Sequence, residues 1–333
     1  MDYKELLESK DYDFLRNDSH LGNRLLFICL TGSYSYGTNR EDSDIDIRGV
    51  TLDTIASLSG IETFEQYEDD KTDTVIYSLS KFIRLASQCN PNIIELLFLE
   101  KEHYLYMTPL GQKIIDNREI FLSRKAIHTF GGYANAQLNR LENALARNED
   151  TSTYQEKMEH INRSILNVID NLYDKLNVQE DSFKSYVNED LEIAFDINVK
   201  NLPYFKLKAI SDELHNTMRN YSTKTMGKNA RKDDKHLNKH MMHLVRLYLE
   251  ANELLKDNVL KVYRKDDLKL LNDIRDGKYR NANGSLTQDF KDLLNSLTSE
   301  FDILKAQTNL PKEPDYPKIK KLLEEIFQEG LVK

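Results

Sequence analysis

Residues 31–50 read TGSYSYGTNREDSDIDIRGV, and their reading decides how the rest of the chain is understood. The apolar run LLFICL at 25–30 leads into Gly32 and Ser33, and ten residues later Asp44-Ile45-Asp46-Ile47 alternates acidic with apolar side chains. An apolar run closed by a glycine-serine turn predicts a buried strand over Arg24 to Thr31. Strict alternation predicts a second strand over Asp44 to Val50 with one polar face, and period two puts Asp44 and Asp46 on the same side of it. Two carboxylates one residue apart can share divalent cations about 3.5–4 Å from one another, which neutralise a triphosphate and activate an attacking hydroxyl. Gly32 permits close backbone approach, and Ser33 sets a hydroxyl beside the amides of a helix start, a combination suited to phosphate oxygens. Gly37 closes the turn. An acidic surface strand carries the same Asp-x-Asp without the chemistry, and the glycine-serine pair ahead of it favours the metal site.

At 333 residues the chain accommodates two domains with cores of their own. Forty per cent apolar and 30% charged residues describe a globular rather than a disordered or fibrous protein. The longest apolar stretches, LLFICL and IIELLFL, fall far short of the roughly 20 residues of a membrane span, so no membrane partner is expected. The acidic N-terminus, MDYKELLESKDYDFL, lacks the basic and apolar regions of a secretory signal, and a cytoplasmic location is expected. Cys29 and Cys89 are too few and too far apart for a disulfide framework and read as reduced structural thiols. A net charge of −9 disfavours nonspecific coating of nucleic acid and leaves room for a local basic cleft.

Past the acidic strand, TVIYSL at 74–79 predicts a strand and SKFIRLASQ at 80–88 a helix, which Asn90-Pro91 breaks before NIIELLFLE begins another. These elements form an α/β unit ending near residue 118. Beyond it helical periodicity dominates, at 154–176, 207–221 and 233–255 and again at 266–275, 286–306 and 316–330, while LEIAFDINVKNLPYF at 191–205 contains extended chain. The expected division is residues 1–118 and 119–333.

Gly32-Ser33, ten residues and Asp44-Ile45-Asp46 resemble the signature of the DNA polymerase beta-like nucleotidyltransferase superfamily. SDIDIRGV, YSLSKFIRLA, NPNIIELLF, KHMMHLVRL and DIRDGKY, in that order, are similar to the predicted nucleotidyltransferases of the RlaP or YcgL-like family over most of the chain. The resemblance implies a polymerase beta-like α/β catalytic domain, a mostly α-helical C-terminal domain and a role in RNA repair. It also implies a third carboxylate near the strand after Asp46: Asp73, just before TVIYSL, with Asp69 and Asp70 as alternatives.

In KHLNKHMMHLVR, His236, Lys239, His240, His243 and Arg246 fall on one side of a helix and Leu237, Met241, Leu244 and Val245 on much of the other. Lys239, His243 and Arg246 match the family's helix motif and suit the triphosphate or an acceptor phosphate. A solvated face is the alternative. The three histidines on one straight helix make a poor zinc site. Tyr133, Asn135 and Gln137 are explained by packing. The activity expected is transfer of a nucleoside monophosphate from an NTP, ATP foremost, to a hydroxyl of RNA, with Mg²⁺ or Mn²⁺ held by Asp44, Asp46 and Asp73. A protein or small-molecule acceptor, or an inactive nucleotide-binding module, are the other readings.

Overall fold

The computed structural model describes residues 3–148, 183–187, 193–197, 204, 207–208, 211 and 234–331. Two short helices, α1 (Tyr3–Leu6) and α2 (Phe14–Asn17), precede β1 (Leu25–Thr31), α3 (Ser33–Tyr36), β2 (Asp46–Thr51), α4 (Ile55–Leu58), β3 (Gln66–Asp69) and β4 (Thr74–Ser78). Then come α5 (Leu79–Ala86), α6 (Pro91–Leu97), β5 (Tyr104–Met107), α7 (Pro109–Asp116) and α8 (Lys125–Asn148). A hairpin of β6 (Phe183–Val187) and β7 (Ile193–Ile197) is followed by α9 (Asp234–Asp257), α10 (Leu268–Arg275), α11 (Gln288–Gln307) and α12 (Tyr316–Gly330). An α/β region thus gives way to a helical C-terminal region, as expected. The helix expected at 154–176 lies outside the described residues, as does most of the one expected at 207–221. Among the described residues no helix is long and apolar enough to cross a membrane.

The five-stranded sheet has the order β3-β4-β2-β1-β5, with β2 and β4 parallel and the other pairs antiparallel. All seven residues of β1 are buried, because this strand has neighbours on both edges and is covered on both faces. On one face Ile28, Leu30, Ile47 and Ile76 pack with Leu7, Tyr12, Leu15 and Leu21 from the N-terminal segment. On the other, Phe27 meets Phe82 of α5 and Tyr104 of β5 edge to face. Leu79, Phe82, Ile83 and Ala86 are buried at helical spacing on α5, which Ser78 caps by accepting from the Lys81 amide. Pro91 occupies the first turn of α6, where its missing N–H costs nothing. Both cysteines are buried and unpaired.

The chain forms two compact units. The first gathers Met1–Ala136, Met242–Tyr279 and Gln288–Lys333, and so holds the sheet together with α10, α11 and α12. The second comprises Gln137–Met241 and Arg280–Thr287. It includes the β6–β7 hairpin, paired from Phe183↔Ile197 to Val187↔Ile193. The long helices α8 and α9 each contribute to both units.

Candidate active site

At Gly32 the chain leaves β1 and turns into α3, with φ 64° and ψ −140°, a conformation that essentially only glycine adopts. A Cβ there would lie 1.9 Å from Oδ2 of Asp46, so the missing side chain is what lets the Asp46 carboxylate sit against the backbone. Thr31 and Asp46 are the last register pair of β1 and β2. The Ser35 hydroxyl donates to the Gly32 carbonyl at 2.9 Å and ties the turn. Gly32→Ala is therefore expected to cost about 1–3 kcal/mol in backbone strain alone and to displace Asp46. A chemical melt would check this; an alanine variant with unchanged stability would contradict the packing.

Asp73 ends the β3–β4 turn with φ 44°, a left-handed conformation unusual outside glycine. Its carboxyl shares a hydrogen bond with Asp46. Partial burial pushes the Asp73 carboxyl up, but this hydrogen bond and the Arg48 guanidinium outweigh it and hold Asp73 below the ordinary carboxylate range. Arg48 Nη2 donates to Asp73 Oδ1 at 3.1 Å and lies 3.9 Å from Asp46 Oδ1. Of the other acids in the turn, Asp69 accepts from the amide and hydroxyl of Thr72, both at 2.9 Å, and so holds the turn itself, while Asp70 is exposed. Asp73 is the one that meets Asp46.

Asp44 does not share the strand with Asp46. β2 begins at Asp46, and Asp44 is exposed in the segment leading into it. The reason is the turn at Gly32: β1 ends at Thr31, opposite Asp46, so nothing remains on that edge for residue 44 to pair with. Ser33 is half-buried at the first position of α3.

Asp46 opens onto a pocket of about 310 Å³ on the polar side of the sheet. Arg48, Gln66, Glu68, Val75 and Tyr77 form its floor, and Tyr36 and α6 residues Asn92, Glu95 and Leu96 line the rest with Thr31 and Gly32. Behind this wall lies a buried ionic cluster. Tyr36 donates to Glu95 Oε2 at 2.6 Å, and Arg246 of α9 donates from Nη1 to Glu95 at 2.8 Å and Glu250 at 2.7 Å. The Arg246 guanidinium also stacks on the Tyr36 ring, 3.8 Å from its centroid. Burial pushes the Glu250 carboxyl up to about 8, against the pull of Arg246, because one guanidinium cannot balance two enclosed carboxylates.

Glu250 thus binds a proton in the folded protein up to about pH 8, whereas an unfolded glutamate releases it near 4.3. Its contribution to stability is full below the unfolded value and is lost as pH rises through the folded one. The melting temperature is expected to fall between pH 5 and pH 9 more steeply in the native protein than in Glu250→Gln. Parallel melting curves across that range would remove Glu250 from the account.

The loop between α3 and β2 is held by chain from far downstream. Arg275 donates to the Thr38 carbonyl and Arg40 pairs with Asp276, both from the DIRDGKY segment. The Arg264 amide donates to the Tyr36 carbonyl at 3.2 Å. Gly37, with φ 77°, leaves room for Tyr263, whose ring a Cβ would meet at 2.6 Å.

The basic helix face divides along its length. Lys239 is exposed, His243 is half-buried with its ring edge-on to Tyr36, and Arg246 is enclosed with two carboxylates. A continuous solvent-facing cationic stripe is therefore not what α9 presents. Three residues of the site went unassigned in the sequence: Arg48, Tyr36 and Glu95. Arg48 had a local signal, since Asp46 and Arg48 are two apart on an alternating strand and must share a face; Tyr36 and Glu95 meet only through the fold.

Among the described residues, no group of three or more His, Cys, Asp or Glu side chains is arranged to hold a metal ion. The Asp46–Asp73 pair nevertheless fits a hard divalent cation. Two carboxyls in hydrogen-bond contact need a proton or a cation between them, and Mg²⁺ is commonly held by one or two carboxylates, with water and substrate phosphate completing its shell.

No curated protein and no solved structure matches the chain. The sequence model of RlaP, the RNA repair pathway DNA polymerase beta family, does match, over residues 8–179 of 333. That span contains β1, the Gly32 turn, Asp46, Asp73 and the pocket floor, and the protein belongs to this family.

Proposed function

We propose that this protein is a metal-dependent nucleotidyltransferase that moves a nucleoside monophosphate from an NTP, ATP foremost, to a hydroxyl of RNA and releases pyrophosphate, as an RNA repair or end-modifying enzyme of the cytoplasm. The observation that carries the reading is the Asp46 carboxylate, seated on Gly32, in contact with Asp73 and opening onto the pocket. A bound Mg²⁺ or Mn²⁺ would supply charge neutralisation for the phosphates and activation of the attacking hydroxyl.

Asp46 and Asp73 are the ligands we assign to it, with Asp44 contributing a further carboxylate from the segment ahead of β2. Gly32 and Ser33 hold the leaving phosphates through the backbone amides at the turn. His243, half-buried with its ring edge-on to Tyr36, is assigned to phosphate contact. Arg246 acts behind the pocket, fixing Tyr36 and Glu95.

The test is incubation of the protein with each α-labelled NTP, Mg²⁺ or Mn²⁺, and RNA bearing free hydroxyl ends, alongside a total protein pool. Label in RNA with release of pyrophosphate is the expected result. Label confined to protein would reject the acceptor, and no label with any NTP would reject the activity.

A further inference from the structure

Among the described residues, Arg48 is a cation within ion-pair reach of both Asp46 and Asp73, and its guanidinium is tethered in an unusual way. Nη1 donates to two backbone carbonyls, Ile47 at 2.9 Å and Asp73 at 2.6 Å. That leaves Nη2 facing the acids, 3.1 Å from Asp73 Oδ1 and 3.9 Å from Asp46 Oδ1. The grip on the Asp73 carbonyl falls at a residue in the left-handed conformation, at the end of a turn whose backbone would otherwise relax. The Ile47 amide donates to the same Asp73 carbonyl at 3.1 Å, so the turn is fastened to β2 at that point.

Two consequences follow from this geometry. The guanidinium is anchored by the backbone and does not depend on the carboxylates for its place. It also takes one oxygen of Asp73 and stands near Oδ1 of Asp46, while Oδ2 of Asp46 faces the Gly32 backbone.

We propose that Arg48 is the positioning residue of the metal site: by fastening Asp73 through its carbonyl and carboxylate together, it orients the Asp46–Asp73 pair for a divalent cation. The inference rests on the metal-dependent reading above. A guanidinium suits the task because its planar fork reaches a carbonyl and a carboxylate in one plane, which a lysine ammonium cannot do. Partners that orient ligating carboxylates typically govern metal affinity by about 10–100-fold. The opposing effect is plain repulsion between guanidinium and metal ion, which predicts the reverse sign.

The experiment is Mn²⁺ titration of the full chain without nucleotide, followed by the electron paramagnetic resonance of free Mn²⁺, for the native protein, Arg48→Gln and Arg48→Lys. Circular dichroism melts keep each titration below the unfolding transition. The expected result is an Mn²⁺ dissociation constant raised about 10–100-fold in Arg48→Gln and only partly restored in Arg48→Lys. Unchanged or tighter binding in folded Arg48→Gln overturns the positioning role and leaves the metal-dependent reading intact. If the native protein binds no Mn²⁺, both fall. Should Arg48→Gln not fold, Arg48→Lys decides by the same criterion, and failure of both to fold makes Arg48 a fold residue and overturns the proposal.

Discussion

Asp46→Asn is expected to lower nucleotidyl transfer on the order of a thousandfold or more while leaving the fold in place, since a catalytic cation supplies several kcal/mol and each 1.36 kcal/mol is a factor of ten. The amide has the size of the carboxyl it replaces and can donate to Asp73, so the contact between the two side chains persists. Only the charge that holds a cation is lost. Because two carboxyls in contact repel one another when both are ionised, the asparagine variant is expected to melt at the native temperature or slightly above it. Single-turnover transfer from a labelled NTP, set beside a thermal melt, checks both halves. Transfer within tenfold of native would take Asp46 out of the chemistry, and a large loss of stability would make the effect structural.

Arg246→Ala is the substitution with the largest expected cost to stability, about 3–5 kcal/mol, or a drop in melting temperature on the order of 10 °C. The guanidinium is enclosed between Glu95, Glu250 and the ring of Tyr36. Removing it leaves Glu95 buried without a cation and opens a cavity against Tyr36, while Glu250, already driven toward its neutral form by burial, loses its donor. Urea melts of the native protein and the variant at pH 7 provide the comparison. An unchanged midpoint would remove the cluster from the account of stability. Arg246→Lys is expected to recover only part of the stability, because one ammonium lacks the fork that spans two carboxylates.

The parts of the site that could be read from residue order are those whose causes are local. The apolar run before Gly32 gave a strand, the glycine gave a turn, and Asp46 followed on an alternating strand. Asp44 shows where local reading stops. Alternation alone carries a strand back to residue 44, but a strand needs a partner, and β1 has already turned away at Gly32. β3 was missed for a related reason: QYED has no apolar period, and its place at the sheet edge demands none.

Arg246 marks the same limit in the helical region. A cation at that position of an amphipathic helix reads as part of a solvated face, and α9 does carry an exposed Lys239 a few residues earlier. What encloses Arg246 is Glu95, 151 residues away in sequence, with Glu250 one turn further along the helix. No period in the sequence reports a charge whose partner lies on another element.

The sequence by itself determined the α/β character of the first region, the helices of the last, the glycine turn that ends the first strand, and the family, because each rests on short-range order or spacing. The tertiary structure alone decided that Asp73 is the acid that reaches Asp46, that Arg48 fastens it, that Arg246 is buried, and that residues 263–276 pin the loop behind Gly37. These are pairings between distant segments, and their energy comes from enclosing charges and carbonyls together, which is fixed only when the segments are packed.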